Sequence, residues 1–314
     1  MNRTLKKAVL RTLYSTGAFS VAARVRRKNT LAILCYHGIS LLDEHEWEGR
    51  LYMTPAEFRQ RLDWLREWNA NVLPLAEALD RLRSGSLPPR SVVLTFDDGF
   101  YDFYRHAWPL LREFGYPCTL YLTTYYSNYR LPIFNLVINY LLWKGGSRED
   151  RGQAVARYRQ DAAAACLSMQ GRDEVARKLA ESLGVDYAPV LSGRLFQIVS
   201  PDEAAALSRA GIDVQLHTHR HRTPLDRELF HREIRDNSRC IEEITGRTPK
   251  HFCYPSGVTA PEFLPWLGEC GVASATTCRM GLARPTGNPL MLPRYLDATA
   301  VHRLDFESWL SGLR

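Results

Sequence analysis

Residues 91–100, with the sequence Ser-Val-Val-Leu-Thr-Phe-Asp-Asp-Gly-Phe, combine an apolar run with two adjacent carboxylates. Such a run predicts a strand that is buried on both faces, as in a parallel sheet covered by helices. Asp97 and Asp98 then lie at the carboxyl end of the strand, where α/β folds place their chemistry. Because neighbouring side chains on a strand point to opposite sides, we expect the two carboxylates to have different functions, unless the turn at Gly99 re-aims one of them. One can hold a metal while the other moves a proton.

Strand-like and helix-like segments alternate along most of the chain. Capping boxes at residues 54–57 and 200–203 predict the starts of two helices. No dinucleotide-binding glycine motif follows any predicted strand, so about seven strands, each followed by a helix, favour an α/β barrel over an open sheet. Besides the strand at 91–96, the predicted strands are residues 31–36, 118–123, 212–216, 251–254, 272–277 and 292–295.

Residues 126–198 interrupt this alternation. The part from 133 to 143 is strongly apolar but contains two asparagines, so it predicts a buried or lid helix and not a membrane span. The part from 148 to 183 is rich in Ala, Arg and Glu and predicts two solvated helices. We therefore expect one domain over residues 29–314 with a helical insertion at about 126–198.

Charge and cysteine content narrow the class of protein. The formal net charge of +7 suits an anionic surface, but no basic and aromatic nucleic-acid-binding module is present, so we expect no nucleic-acid partner. The seven cysteines are widely spaced and form no Cys-x-x-Cys pair. This pattern favours free thiols in a reducing compartment over a disulfide scaffold or a zinc–cysteine site.

Residues 1–28 form a basic segment in which Lys6, Lys7 and Arg11 precede an uncharged run from 12 to 23. That run is too polar for a good signal peptide and too short for a membrane span, which takes about 20 apolar residues. It predicts either a surface helix or a basic interfacial helix on an anionic leaflet. We expect a cytoplasmic protein, with peripheral contact at the inner membrane as the second alternative.

Two histidines, His217 and His221, follow the predicted strand 212–216. Three residues separate them, so both imidazoles can face one point if the segment turns helically. With Asp98 they supply two nitrogens and one oxygen, the donor set of a catalytic zinc that keeps a position open for water. Such an ion lowers the pKa of its water to about 7, and Asp97 is the candidate to accept the proton. The alternative role of Asp97 is to cap the following helix.

These motifs resemble a known family. The segment Thr95-Phe-Asp-Asp-Gly99 followed by His217-Thr-His-Arg-His221 is similar to the first two motifs of the polysaccharide deacetylases of the NodB-homology group, carbohydrate esterase family 4. The resemblance covers about residues 30–310 apart from the insertion, and it implies a distorted (β/α) barrel. It also implies hydrolysis of N-acetyl groups from GlcNAc-type amino sugars in a polysaccharide or lipid-linked glycan, as in exopolysaccharide biosynthesis. By this likeness Asp97 is the general base, and Asp98, His217 and His221 bind a divalent metal, usually zinc.

One departure from the family concerns its third motif. That motif usually has an arginine and a tyrosine where this chain has Cys253 and Ser256. We expect Arg294, on the last predicted strand, to supply the guanidinium that orients the base. The backbone amide of Ser256, with Tyr254 beside it at the substrate, is expected to bind the oxyanion.

A second departure is the missing carboxy-terminal Leu-x-His motif, which usually provides the general acid. His302 lies near the end of the chain but without the expected apolar strand. His37 resembles the amino-terminal histidine that acts as acid in a branch of exopolysaccharide deacetylases, so we expect it to protonate the leaving amine. Its alternative is a core-edge histidine bonded to a carbonyl. His219 and His231 are expected to face solvent.

Three functions stay open at this point. The first is the metal-dependent glycan N-deacetylase, and the second is an amidase or deformylase that acts on a smaller amide with the same fold and metal. The third is a carbohydrate-binding pseudoenzyme, which the complete set of base and ligands disfavours. Four aromatic residues are candidates to stack on sugar rings, although aromatic side chains lie in protein cores more often: Tyr125, Tyr126, Trp143 and Trp266.

Overall fold

The computed structural model describes Thr12 and residues 27–313 of the chain. Apart from Thr12, the predicted amino-terminal helix therefore lies outside the described residues. Within them there are ten strands, of which eight form one sheet. The strands are β1 (Ala32–Tyr36), β2 (Gly38–Ile39), β3 (Tyr52–Met53), β4 (Asn71–Val72), β5 (Ser91–Phe96), β6 (Thr119–Leu122), β7 (Asp213–Leu216), β8 (His251–Cys253), β9 (Ser274–Thr276) and β10 (Tyr295–Leu296).

The large sheet is parallel and curls back on itself. Its strands follow the order β10-β1-β5-β6-β7-β8-β9, with β4 paired to the start of β5, while β2 and β3 form a separate pair. Leu292, just before β10, forms a parallel bridge with Thr276 of β9, and β10 pairs with β1. The segment around β10 therefore connects the two ends of the sheet, and the predicted distorted barrel is confirmed.

Helices surround this sheet. The two predicted capping boxes are confirmed, with Thr54 and Glu57 starting one helix and Ser200 and Glu203 another. The α-helices of the described residues are α1 (Glu44–Trp47), α2 (Pro55–Glu67), α3 (Leu75–Ser84), α4 (Trp108–Phe114), α5 (Phe134–Lys144), α6 (Arg151–Ala164), α7 (Met169–Ser182), α8 (Ala188–Ser192), α9 (Pro201–Arg209), α10 (Arg227–Thr245), α11 (Phe263–Glu269) and α12 (Arg303–Leu310). A π-helical turn at Phe103–Ala107 precedes α4.

The two faces of the central strands bury different sets of side chains. Leu34, Leu94 and Leu120 face the helices and share one cluster with residues of α2. Ile33, Val93 and Tyr121 share a second cluster on the inner side of the barrel. Every position of β1 and β5 is buried, which explains why these strands appear in the sequence as continuous apolar runs.

The insertion adds its own hydrophobic cluster. Helix α5 is largely buried, as predicted, while α6 exposes most of its residues and α7 exposes fewer than half of them. The cluster joins these helices to Trp47 and Tyr52, which precede α2 in the chain. The insertion therefore packs beside the opening of the barrel, next to the carboxyl ends of its strands. None of the helices in the described residues has the length and apolar content needed to cross a bilayer.

Candidate active site

The end of β5 aims both of its carboxylates at one cavity. Val93 lies in the inner cluster, and strand alternation places Thr95 and Asp97 on the same face. Asp98 adopts a left-handed backbone with φ of 71°, followed by Gly99 with φ of 84°. This turn re-aims Asp98, which would otherwise point away from Asp97. A Cβ atom on Gly99 would lie 2.4 Å from Leu122 Cδ1, so a side chain here would displace Leu122 as well as strain the backbone.

Asp98, His217 and His221 converge on one point. The Oδ1 atom of Asp98 lies 3.1 Å from Nε2 of His217 and 3.1 Å from Nε2 of His221. His221 is itself left-handed, with φ of 54°, and so is Thr218, with φ of 60°. Such strained residues accumulate at functional sites because the surrounding structure holds them in place. The tight turn after β7 therefore brings both imidazoles to the same side.

The hydrogen bonds of His217 leave one of its ring nitrogens available as a ligand. Its Nδ1 lies 2.9 Å from the carbonyl oxygen of Cys253, which can only accept, so Nδ1 carries the proton. The lone pair of Nε2 then points at Asp98, the arrangement typical of metal-ligating histidines. Burial raises the pKa of Asp98, but the two imidazoles outweigh it and hold this pKa well below its usual range. The three residues therefore fit a divalent metal.

Asp97 is buried in a bidentate contact with Arg294. Nη1 of Arg294 donates to Oδ1 of Asp97 at 2.7 Å, and Nη2 donates to Oδ2 at 2.8 Å. Arg294 is held in turn by bonds to Thr95 Oγ1 at 3.1 Å and to the Thr277 carbonyl at 3.0 Å. The guanidinium thus occupies the barrel interior beneath Asp97 and fixes the direction of its carboxylate.

The charge of Asp97 is set by opposing effects. Burial raises the pKa of Asp97, whereas the attraction and hydrogen bonds of Arg294 lower it, and the net result is a pKa below the usual range. Two buried thiols also contact Oδ2 of Asp97: Cys253 Sγ at 3.3 Å and Cys35 Sγ at 3.5 Å. Burial raises the pKa of both thiols well above its ordinary value, so they are neutral donors to this carboxylate.

The remaining predicted site residues lie around the same cavity, which has a volume of about 590 Å³. His37 places Nε2 3.8 Å from Oδ2 of Asp97. Ser256 lies in the turn after β8 with φ of 54° and lines the cavity. Tyr254 also contributes to the wall, but its hydroxyl donates to the Leu290 carbonyl at 3.1 Å. Its phenol is therefore engaged in holding the segment before β10.

Helix α10 contributes two buried polar residues that sequence reasoning missed. Asn237 accepts a hydrogen bond from the backbone amide of His217 at 2.9 Å and donates to the Leu122 carbonyl at 2.9 Å. Glu233 accepts from the Arg220 amide at 2.7 Å and from Arg222 Nε at 2.7 Å. Both residues lie on the core-facing side of an amphipathic helix, where polar side chains are unusual. That position was the signal that could have identified them.

The expectation that His219 and His231 face solvent is wrong. His219 is partly buried and its Nδ1 lies 2.9 Å from Thr124 Oγ1. His231 lies with Nε2 3.1 Å from Oε2 of Glu269, and its side chain is only 16% exposed. His219 therefore helps to hold the loop that carries the metal-ligand candidates, whereas His231 connects α10 to α11.

Replacing Asn237 by Ala is expected to destabilise the fold and weaken metal binding. The substitution leaves the His217 amide and the Leu122 carbonyl without a partner, at a cost of about 1–3 kcal/mol for each buried group. Loss of such a supporting contact typically lowers metal affinity about 10–100-fold. Urea unfolding and zinc titration measure the two effects. Asn128, an exposed asparagine in the helical turn after β6, gives the matched control, and equal behaviour of N237A and N128A would contradict the assigned role.

Sequence comparison identifies relatives of the chain. The polysaccharide deacetylase family model matches residues 84–275, more than half of the chain. A poly-beta-1,6-N-acetyl-D-glucosamine N-deacetylase of Staphylococcus epidermidis is 34% identical over 101 residues, which are 32% of this chain and 34% of that protein. A protein of the same name from Escherichia coli is 31% identical over 90 residues, 28% of this chain and 13% of that protein. The chain thus matches about a third or less of the length of these relatives.

Structural comparison extends over most of the chain. The Streptococcus pyogenes deacetylase PplD in complex with acetate is similar with a TM-score of 0.63 and 18% identity, over 90% of this chain and 98% of that one. IcaB from Ammonifex degensii is similar with a TM-score of 0.61 and 21% identity, over 90% of this chain and 97% of that one. At these identities the likeness shows a shared fold.

Proposed function

Because this chain belongs to the polysaccharide deacetylase family, we propose that it is a metal-dependent hydrolase that removes N-acetyl groups from GlcNAc-type sugars of a polysaccharide or a lipid-linked glycan. The observation that carries the proposal is the contact of Asp98 Oδ1 with both His217 and His221 at 3.1 Å, beside a buried and ionised Asp97. The names of the relatives support β-1,6-linked poly-GlcNAc as the first substrate to test.

The donor set of one carboxylate and two imidazoles favours zinc among the divalent ions. Asp98, His217 and His221 would hold the ion, and the hydrogen bond from His217 to the Cys253 carbonyl already orients one ligand. When bound, such an ion polarises the amide carbonyl and lowers the pKa of water to about 7. The protein then has to position the sugar, remove one proton and deliver one to the leaving nitrogen.

Asp97 accepts the proton of the attacking water in this scheme. Arg294 keeps the carboxylate ionised and correctly oriented, but it also lowers the proton affinity of Asp97. His37, with Nε2 3.8 Å from Oδ2 of Asp97, is placed at the cavity to supply a proton to the amine. The water oxygen then bonds to the carbonyl carbon, the C–N bond breaks, and acetate and an amino sugar are released.

Developing charge on the carbonyl oxygen needs a donor from the chain. We assign this role to the backbone amide of Ser256, which follows Pro255 in the turn that lines the cavity. The left-handed conformation of Ser256 is strained for a residue with a side chain, which is consistent with a turn kept for function. Tyr254, the residue just before this turn, is held in place by its bond to the Leu290 carbonyl.

The direct test is acetate release from β-1,6-linked GlcNAc oligomers by the zinc-loaded protein. We expect release that stops on chelation and returns when zinc is restored. Oligomer binding without acetate release would favour a carbohydrate-binding pseudoenzyme. Faster release of acetate or formate from small amides than from oligomers would favour an amidase or deformylase. Either outcome would contradict the proposed activity.

Replacing His37 by Gln is expected to slow deacetylation by about 10²–10⁴-fold, the usual contribution of a general acid or base, without loss of the metal. The effect should be much smaller with an acetyl amide whose leaving group is a nitroaniline, because that amine needs little protonation. His302→Gln is the matched control, since His302 is exposed at the start of α12. Full activity in H37Q with both substrates would show that another group donates the proton.

For the segment 1–28 we propose contact with an anionic membrane surface, in a cytoplasmic enzyme. The support is the cluster Lys6, Lys7 and Arg11 ahead of an uncharged run, together with seven free cysteines. Sedimentation with vesicles that contain anionic lipid tests this contact. Loss of binding in the triple Gln variant is the expected result, and unchanged binding would contradict it.

A further inference from the structure

A second cavity of about 380 Å³ lies beside the active-site cavity, and its wall is basic. Arg159, Arg172 and Arg220 line it, and none of its lining residues is Asp or Glu. Arg159 and Arg220 line the active-site cavity as well, as does Tyr126. We call this second cavity the side cavity. Because the two share part of their walls, a glycan with its acetyl group at the active site can extend into the side cavity.

Two of the three guanidinium groups have little compensation. Within residues 27–313, neither Arg159 nor Arg172 has a carboxylate within 4.0 Å of its nitrogens. Arg172 donates from Nε to the Leu167 carbonyl at 3.2 Å, which leaves its terminal amino groups for a ligand. Arg220 is partly neutralised, because its Nη1 lies 3.3 Å from Oε1 of Glu233. The side cavity therefore has a net positive wall, which attracts an anion.

Aromatic rings form another part of the wall. Tyr125, Tyr126 and Tyr129 line the side cavity, and the rings of Tyr125 and Tyr129 lie 5.4 Å apart. The guanidinium of Arg220 lies 5.1 Å from the Tyr125 ring. Of the four aromatic candidates from the sequence, Tyr125 and Tyr126 thus face a cavity, whereas Trp143 and Trp266 pack against hydrophobic clusters. Amphipathic rings beside cations suit a sugar that carries a negative group.

We propose that the side cavity is a subsite for an anionic group, a phosphate or a carboxylate, on the part of the glycan next to the sugar that is deacetylated. Planar guanidinium groups bind both kinds of oxyanion through paired hydrogen bonds. The placement of this group relative to the reacting sugar rests on the proposed function. The preference for an anion rests on Arg159 and Arg172 alone. The natural substrate is accordingly a GlcNAc-type glycan with an acid or phosphate next to the reacting sugar, and neutral GlcNAc oligomers would still react at the active site with the side cavity left without its anion.

The test compares binding of neutral and charged probes to the full zinc-loaded protein by calorimetry. The charged probes are N-acetylglucosamine 1-phosphate and the disaccharide of glucuronate and N-acetylglucosamine; the neutral ones are N-acetylglucosamine and its disaccharide. A hydrogen bond to a charged group is worth about 1.5–3 kcal/mol, so we expect a charged probe to bind at least about tenfold more tightly than its neutral counterpart. Whichever charged probe shows the preference identifies a phosphoryl or a uronate source. The preference should shrink in high salt.

A bound metal also attracts anions, so variants are needed to show whether the anion preference comes from the side cavity or from the metal. The double variant R159Q/R172Q should lose the preference for the charged probe. The control R157Q/R209Q removes the same net charge and should keep the preference for the charged probe. Arg157 is an exposed residue of α6 that pairs with Glu149, and Arg209 lies at the end of α9. Equal binding of charged and neutral probes to the wild type, or a preference that survives in R159Q/R172Q, would overturn the proposal. An anion preference without acetate release from any oligomer would instead contradict the proposed function and leave the subsite supported.

Discussion

Replacing Asp97 by Asn is expected to lower kcat/KM for acetate release by about 10²–10⁴-fold, the range for loss of a general base, while zinc remains bound. Asparagine has nearly the same shape but cannot accept the proton of the attacking water. The metal-ligand candidates are untouched by the change, because Asp98 makes the contacts with His217 and His221. Acetate release and zinc content of the same preparation measure the two properties together.

Asp213→Asn is the matched control for this variant. Asp213 begins β7, at the opposite end of that strand from His217, and accepts hydrogen bonds from Thr119 and Gln215. Its replacement should leave turnover close to that of the wild type. If D97N kept most of its activity, or lost its zinc together with its activity, the division of roles between Asp97 and Asp98 would be wrong.

Replacing Arg294 by Met is expected to destabilise the fold by about 3–5 kcal/mol, because it leaves Asp97 as a buried charge without its partner. Turnover should fall as well, since the carboxylate loses the group that orients it. The double variant D97N/R294M removes both charges, so it should be less destabilised than R294M alone. Urea unfolding with a chelator present measures these differences without a contribution from metal binding.

The destabilisation of R294M should depend on pH with a defined sign. In the wild type the folded-state pKa of Asp97 lies below its unfolded value of about 3.9, so the stability that its charge provides is present above about pH 4 and is lost as pH falls through the folded-state pKa. Without Arg294, burial raises this pKa and the folded variant binds a proton more readily. The difference in unfolding free energy between wild type and R294M should therefore be larger at about pH 8 than at about pH 5. R279M, at an exposed arginine before β10, should show no such dependence.

The metal-ligand candidates could be predicted from the sequence because each follows a strand. The apolar runs before Asp98 and before His217 mark strands of one parallel sheet, and the carboxyl ends of such strands meet at one edge. From the sequence, two arrangements were possible: the carboxylates of Asp97 and Asp98 on opposite sides of the strand, or a turn at Gly99 that re-aims one of them. The left-handed backbone at Asp98 and Gly99 decides between them.

The surroundings of Asp97 were harder to predict because they depend on barrel closure. Arg294 is 197 positions from Asp97, and the Cys253 thiol is 156 positions away. These contacts depend on which strands are neighbours and on the register between them. The local periodicity of the sequence carries no information on either. Arg294 was chosen because Cys253 stands where the family usually has the arginine that orients the base. No motif in the sequence indicated the neutral thiol donors or the contacts of Asn237.

The side cavity was the feature that sequence patterns predicted least. Its arginines come from α6, from α7 and from the loop after β7, and their proximity depends on how the insertion packs against the barrel. The Ala-, Arg- and Glu-rich composition of this region predicted two solvated helices but no partner for their basic residues. A charged side chain on a solvated helix is ordinarily a surface feature, and only the shared cavity wall distinguishes these arginines.

The central claim is that Asp98, His217 and His221 hold one divalent ion while Asp97 stays free for proton transfer. Metal content of the purified protein, measured beside that of H217A and D97N, tests it most directly. We expect about one zinc per chain in the wild type and in D97N, and almost none in H217A, since zinc sites of this kind use three protein ligands. Equal metal content in the wild type and H217A, or absence of zinc from D97N, would contradict it.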